Sequence, residues 1–176
     1  NIKTLTLAAG AHTGTVTFGA GTNTLKMGAA NAGVMTVNDT GLATNDTLNI
    51  NANYASGAST DSFANQAVVI NGFETINFNT GSVSGFDQDI NTFNVTGDPD
   101  SAGIRTAVTL NVSGAGNLDI DGTVTLGTDG SGAGTIDASA LTGDMNLKVV
   151  VAGVTTITGG SGNDLFKADS QASTLT

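Results

Sequence analysis

The sequence predicts an all-β protein, a right-handed parallel β-solenoid, and three observations predict it. A four-residue unit of Thr, apolar, polar, apolar recurs along the chain. The stretches between its copies are made of Gly, Asn, Asp, Ser and Ala, which supply turns and tolerate left-handed backbone. The acidic residues are almost all aspartate, with Glu74 the single glutamate. Asp favours turns while Glu favours helices, so strands and turns should dominate and helix should be scarce.

Taken in order, the unit occurs at 4–7, 15–18, 24–27, 47–50, 75–78, 92–95, 109–112 and 123–126, and with Asn in front at 117–120 and 146–149. Its period is two, so each copy predicts a short strand with its apolar side chains on one face. From Thr75 to Thr92 to Thr109 the unit advances 17 residues at a time, which is read as one coil of a solenoid. Longer steps are read as loops bulging from a coil. The main insertion is 53–65, with Tyr54 and Asp61, before Ala67-Val68-Val69-Ile70 resumes the strand pattern; a second loop spans 97–103 around Pro99. Pro99 suits a turn because proline cannot join a central strand. Residues 138–141 suggest one short helical turn after Asp137. An antiparallel β-sandwich of the adhesin type would show the same alternation and remains the alternative architecture.

Near the end of the chain lies Gly159-Gly160-Ser161-Gly162-Asn163-Asp164-Leu165-Phe166-Lys167. It matches the nonapeptide G-G-x-G-x-D-x-U-x, whose stacked copies form a parallel β-roll that binds Ca²⁺. The glycines let the backbone turn and aim carbonyl oxygens inward, Asp164 offers a hard anionic oxygen, and Phe166 opens a short strand facing the core. One copy supplies only part of the roughly 6–8 oxygens that Ca²⁺ takes. Residues 1–158 are therefore expected to form a solenoid segment, and 159–176 to begin a calcium-binding repeat. The opening Asn1-Ile2-Lys3-Thr4 has neither an initiator Met nor a signal peptide and is read as the interior of a longer protein.

Composition narrows the function classes. The net charge is −10, and Lys3, Lys26, Arg105, Lys148 and Lys167 are the only strong cations, so a nucleic-acid partner is not expected. With no cysteine there are no disulfides and no cysteine-based zinc sites. No run approaches the roughly 18 apolar residues of a membrane span. Three further acidic pairs have i, i+2 spacing: Asp87 with Asp89, Asp98 with Asp100, and Asp119 with Asp121. On a strand this spacing puts both carboxylates on one face, and in a tight loop it lets them converge on a cation. Asp98, Asp100, Asp119 and Asp121 join the residues from Gly159 to Asp164 as candidate ligands, against the plainer reading of exposed turn carboxylates. Asp39 and Asp46 are read as caps on coil corners, and 129–134 as a glycine-rich turn. His12 is the single histidine, placed in a turn, which leaves no histidine-rich metal centre. Parallel β-helices can host polysaccharide lyases and two-carboxylate hydrolases. Without tryptophan and with one arginine, the chain lacks the usual platforms for holding a sugar, so no enzyme is expected.

The segment from Ile136 to Gly143, the strand-rich stretch after it, and the turn from Gly159 to Asp164 resemble the repeats-in-toxin (RTX) class of type I secreted bacterial proteins. Within that class the likeness is to calcium-dependent crystalline surface-layer (S-layer) proteins and giant adhesins. The resemblance implies an extracellular location on the bacterial cell surface and Ca²⁺ as the stabilising ion. It implies a structural role, with self-association into a two-dimensional lattice through the parent protein and cell-surface polysaccharide as a further partner. An adhesin segment is the alternative, its ligand loop at 53–65, and a carbohydrate-active β-helix enzyme a more distant one.

Overall fold

The computed structural model describes residues 2–7, 12–28, 31–41, 43–52, 61–99, 104–127, 134–150 and 154–168. The period-two segments fold as strands. In chain order these are β1 (Thr4–Leu7), β2 (His12–Phe18), β3 (Thr22–Met27), β4 (Asn31–Asp39), β5 (Thr47–Asn51), β6 (Gln66–Asn71) and β7 (Thr75–Asn79). They continue as β8 (Asp87–Thr96), β9 (Thr109–Gly114), β10 (Asn117–Leu126), β11 (Gly134–Leu141), β12 (Met145–Val150), β13 (Val154–Thr158) and β14 (Leu165–Ala168).

Odd-numbered strands form one seven-stranded sheet and even-numbered strands a second, each ordered by sequence from one end of the molecule to the other. Every ladder within the two sheets is parallel. An odd strand and the even strand after it make one coil, from coil 1 (β1 and β2) to coil 7 (β13 and β14). The chain is a parallel β-solenoid flattened into two faces, and the antiparallel sandwich is ruled out by the ladders. The turn holding Gly159 to Asp164 joins β13 to β14, and β14 pairs with β12 as the last strand of the even sheet.

The 17-residue step corresponds to half a coil. Thr75 of β7 and Thr109 of β9 are register partners, whereas Thr92 lies between them in sequence and on the opposite sheet, in β8. A full coil at this level takes 34 residues, from Asn77 to Asn111, and at the far end only 19, from Asp144 to Asn163. Loop length at the edges absorbs most of the difference; the odd-sheet ladders from β1 to β9 and the β4–β6 ladder run in unbroken register, while the others each shift once. Residues 138–141 belong to β11 and make no helical turn: Ala138 and Leu141 are buried, with an irregularity between Asp137 and Ala140 restoring the alternation. His12 opens β2 instead of sitting in a turn. Residues 53–60 of the expected insertion, 100–103 of the second loop, and 128–133 of the glycine-rich turn lie outside the described residues.

Alternation sends apolar side chains from both sheets into one core. In the odd sheet the rows run Leu25, Ile50, Phe78, Val112 and Leu48, Ile76, Leu110, Ile136, Ile157. In the even sheet they run Met35, Val68, Phe93, Val124 and Ile90, Ile120, Leu147, Phe166. Phe78 anchors the middle, with ring centroids 5.4 Å from Phe63 and 6.3 Å from Phe93. Burying a side chain of this size contributes about 2–3 kcal/mol.

The outer face of the odd sheet carries polar rows in the same register. Thr22, Thr47, Thr75, Thr109, Thr135 and Thr156 stand in line over successive coils. Beside them the Asn77 amide donates to Asn49 Oδ1 and the Asn111 amide to Asn77 Oδ1, both at 2.9 Å. β-Branched threonine suits an extended strand, and stacked amides satisfy one another one coil apart. Among the described residues no helix is long and apolar enough to cross a membrane.

Candidate metal centre

Two edges close each coil. At one, an odd strand turns into the even strand of the same coil; at the other, an even strand turns into the odd strand of the next. Among the described residues the even-to-odd edge holds a close group of acids, and its construction starts from the residues just before the first three threonines of the outer row. Those residues are Gly21, Asp46 and Glu74, ahead of Thr22, Thr47 and Thr75. The Gly21 N–H donates to Asp46 Oδ1. One coil on, the Asp46 N–H donates to Glu74 Oε2 at 2.8 Å. The other oxygen, Glu74 Oε1, accepts from the Asp98 N–H at 2.7 Å and the Thr106 hydroxyl at 2.9 Å. Each acid thus caps a backbone N–H that the odd sheet leaves free at its margin. Glu74, the chain's single glutamate, has the reach to serve two levels.

Asp39 and Asp98 enter the same space from the ends of β4 and β8. Asp39 Oδ1 accepts from the Thr40 N–H at 2.8 Å. These two acids belong to coils 2 and 4, and the intervening coil passes between them at Gly72. Gly72 has φ +81° and no side chain; a Cβ there would lie 3.0 Å from Asp98 Oδ1 and 3.1 Å from the Asp39 Cβ. The glycine therefore permits the approach as well as the backbone angle.

The result is that one carboxylate oxygen from each of Asp39, Asp46 and Asp98 lies within 4.8 Å of the others. Asp46 is wholly buried and Asp98 is 7% exposed. In all three residues Oδ2 is buried without a hydrogen-bond partner. Burial, reinforced by the facing Asp46 carboxylate, pushes the Asp39 carboxyl up to about 6. Burial, with Glu74 and Asp46 adding to it and Arg105 opposing it, raises Asp98. The Arg105 Nη1 donates to Gly97 O at 2.8 Å. Three hard anionic oxygens in one buried space are a donor set for a hard cation such as Ca²⁺ or Mg²⁺.

Sequence reading named Asp98 in this group but paired it with Asp100, which lies outside the described residues; it took Asp39 and Asp46 for caps. Both do cap with one oxygen, and each keeps a second, buried oxygen without a partner. The available signal was positional: Asp46 and Glu74 both directly precede a Thr-apolar-polar-apolar unit.

The other sequence candidates lie elsewhere. Asp119 and Asp121 sit on the outer face of β10, both facing Lys148 from β12, with Lys148 Nζ 3.6 Å from Asp119 and in contact with Asp121. Asp89 of β8 is beside Asp119 in register. Burial first, then the carboxylates of Asp61, Asp87, Asp119 and Asp121, raise the Asp89 pKa. Burial also raises Asp119, against the pull of Lys148.

The turn from Gly159 to Asp164 lies on the odd-to-even edge. Asp164 Oδ1 accepts from the Met145 N–H at 2.8 Å and Oδ2 from the Gly160 N–H at 2.6 Å. Asp144 Oδ1 accepts from the Asn163 N–H at 2.7 Å. Ser161 and Gly162 complete the bend, where a Cβ on Gly160 would meet Leu141 O at 2.4 Å and one on Gly162 would meet Gly143 O at 2.4 Å. The glycines are needed here because successive turns touch backbone to backbone.

Comparison of the chain with family models, with curated proteins and with solved structures finds no match.

Proposed function

We propose that this chain is a structural segment of a secreted bacterial surface protein of the surface-layer kind, a stiff body stabilised by Ca²⁺ that takes part in a two-dimensional lattice on the cell. The observation that carries this reading is the coil-on-coil register. Equivalent residues recur at the same height of successive coils, inside as apolar rows and outside as Thr and Asn rows. A body built this way extends by adding coils, and its outer rows repeat at the strand spacing of about 4.8 Å. Such a surface suits repeated lateral contacts between copies.

Calcium enters through charge. At −10 the chain repels itself, and carboxylates gathered at coil edges are where a divalent cation offsets that repulsion. The nonapeptide match suggests the Gly159 to Asp164 turn, but both Asp164 oxygens accept backbone N–H groups there, which favours the unpartnered carboxylates of the opposite edge. Bound outside the cell and scarce inside it, Ca²⁺ would link folding to export.

Assembly of the purified chain tests the reading. Sedimentation velocity and negative-stain microscopy in millimolar Ca²⁺ should show large ordered sheets or ribbons that return to single particles with chelator. A chain that remains monomeric in both conditions overturns the lattice role, and Ca²⁺-independent capture of a polysaccharide or host surface by that monomer would establish the adhesin role in its place.

A further inference from the structure

We infer that Asp39, Asp46 and Asp98 form a divalent-cation site that clamps coils 2, 3 and 4 together at the even-to-odd edge, separate from the glycine-rich turn near residue 160. Three independent features point there. The ligand atoms converge within 4.8 Å although the residues come from three levels of the stack. Asp46 and Asp98 are both more than nine-tenths buried, and the Oδ2 of each has no hydrogen-bond partner. Gly72 keeps open the path between Asp39 and Asp98, where any side chain would intrude.

The rest of the site is built to hold these acids in place. Glu74 fixes the backbone of both Asp46 and Asp98 through their N–H groups, and its two oxygens are thereby occupied. It orients the ligands and is a positioning residue. A buried acceptor without a partner is costly, and like charges this close raise the cost further. A proton shared between Asp39 and Asp46 would relieve one pair and leave the third carboxylate unmatched. A divalent cation relieves all three. The donors are all oxygen, which selects hard ions, and three carboxylates leave coordination positions for water among the roughly 6–8 that Ca²⁺ takes.

The site predicts a specific signature in the intact chain. After exhaustive chelation, calorimetric titration with CaCl₂ and separately with MgCl₂ should reveal a binding event in the parent that is at least tenfold weaker in Asp39→Asn and in Asp98→Asn. Each of these variants keeps the side-chain shape and removes one charge, so in chelator each should melt no lower than the parent. Their melting temperatures should then rise less on adding Ca²⁺. Asp164→Ala separates this site from the turn and should retain the event. Parent-like titrations and melting shifts in both Asn variants would overturn the site, as would a parent that binds neither ion at millimolar concentration. Loss of the event in Asp164→Ala alone would overturn it too, placing the ion at the turn.

Discussion

The two edges of the solenoid use the same residue type to opposite ends. At the odd-to-even edge, Asp164 spends one oxygen on the Met145 N–H of the preceding coil and the other on the Gly160 N–H of its own turn, so it has none left over, and Asp144 spends one on the Asn163 N–H of the following coil. At the even-to-odd edge, Asp39 and Asp46 each spend one oxygen on an N–H, and the Oδ2 atoms of Asp39, Asp46 and Asp98 are left buried without a hydrogen-bond partner. The difference lies in the backbone supply. A glycine-rich turn presents its N–H groups inward, so acid and amide balance within the turn. The opposite edge brings carboxylates in from three levels, while its free N–H groups are already met by Glu74 and by one oxygen of each cap. An aspartate at a coil corner therefore completes the fold where donors are plentiful and creates a need for a cation where they are not.

The largest effect should come from Glu74→Ala. It strands the N–H groups of Asp46 and Asp98 at a buried edge, while the Thr106 hydroxyl keeps Asp98 O as its acceptor, a loss on the order of 3 kcal/mol. Chemical denaturation in chelator should show it as a lower midpoint with an unchanged slope. A loss under 1 kcal/mol would mean that the even-to-odd edge does not depend on its glutamate.

Asp164→Ala removes two charge-assisted caps at a less buried turn, and about 2 kcal/mol is expected in chelator. Because those caps are met without an ion, the loss should appear whether or not Ca²⁺ is present. Hydrogen exchange should localise it to coils 6 and 7. Faster exchange spread over coils 2 to 4 would instead show that the two edges are not independent.

Proton linkage gives a smaller effect with a definite sign. The folded Asp39 carboxyl is raised from the ordinary 3.8 to about 6, with Asp46 facing it. Folding thus favours its neutral form, and the stabilising contribution is complete below about 3.8 and lost as pH climbs through about 6. Asp98, faced by Glu74, Asp46 and Arg105, is raised in the same direction. In chelator the melting temperature should decline between about pH 4 and pH 7, and Asp39→Asn should flatten that decline. A steeper decline in the variant would contradict the assignment.

Most of the fold was legible because alternation is a local property. Thr109-Leu110-Asn111-Val112 carries its own strand and its own inward face, and the structure places it so. β4 and β11 were less visible. Gly33 and Val34 interrupt the unit in one, and Ala138-Ser139-Ala140 offers weak contrast between faces in the other. Coil length was misjudged for a geometric reason: a two-sheet coil shows the strand pattern twice per turn, so Thr75 to Thr92 crosses the core while Thr75 to Thr109 follows the stack. The acid cluster was hidden by distance. Asp46 meets Glu74 across 28 residues, and no local spacing rule reaches that far. Even so, its caps were readable, since the turn chemistry that places Asp39 beside Thr40 depends only on neighbours.

The most direct test of the contrast between the edges is a crystal structure of the chain grown with Ca²⁺, with anomalous differences collected at a long wavelength. The account predicts an anomalous peak bounded by the carboxylates of Asp39, Asp46 and Asp98, with Gly72 against it and Glu74 still on the two N–H groups. Well-ordered density in which those carboxylates pair with one another or with water, and no cation lies between them, would contradict it.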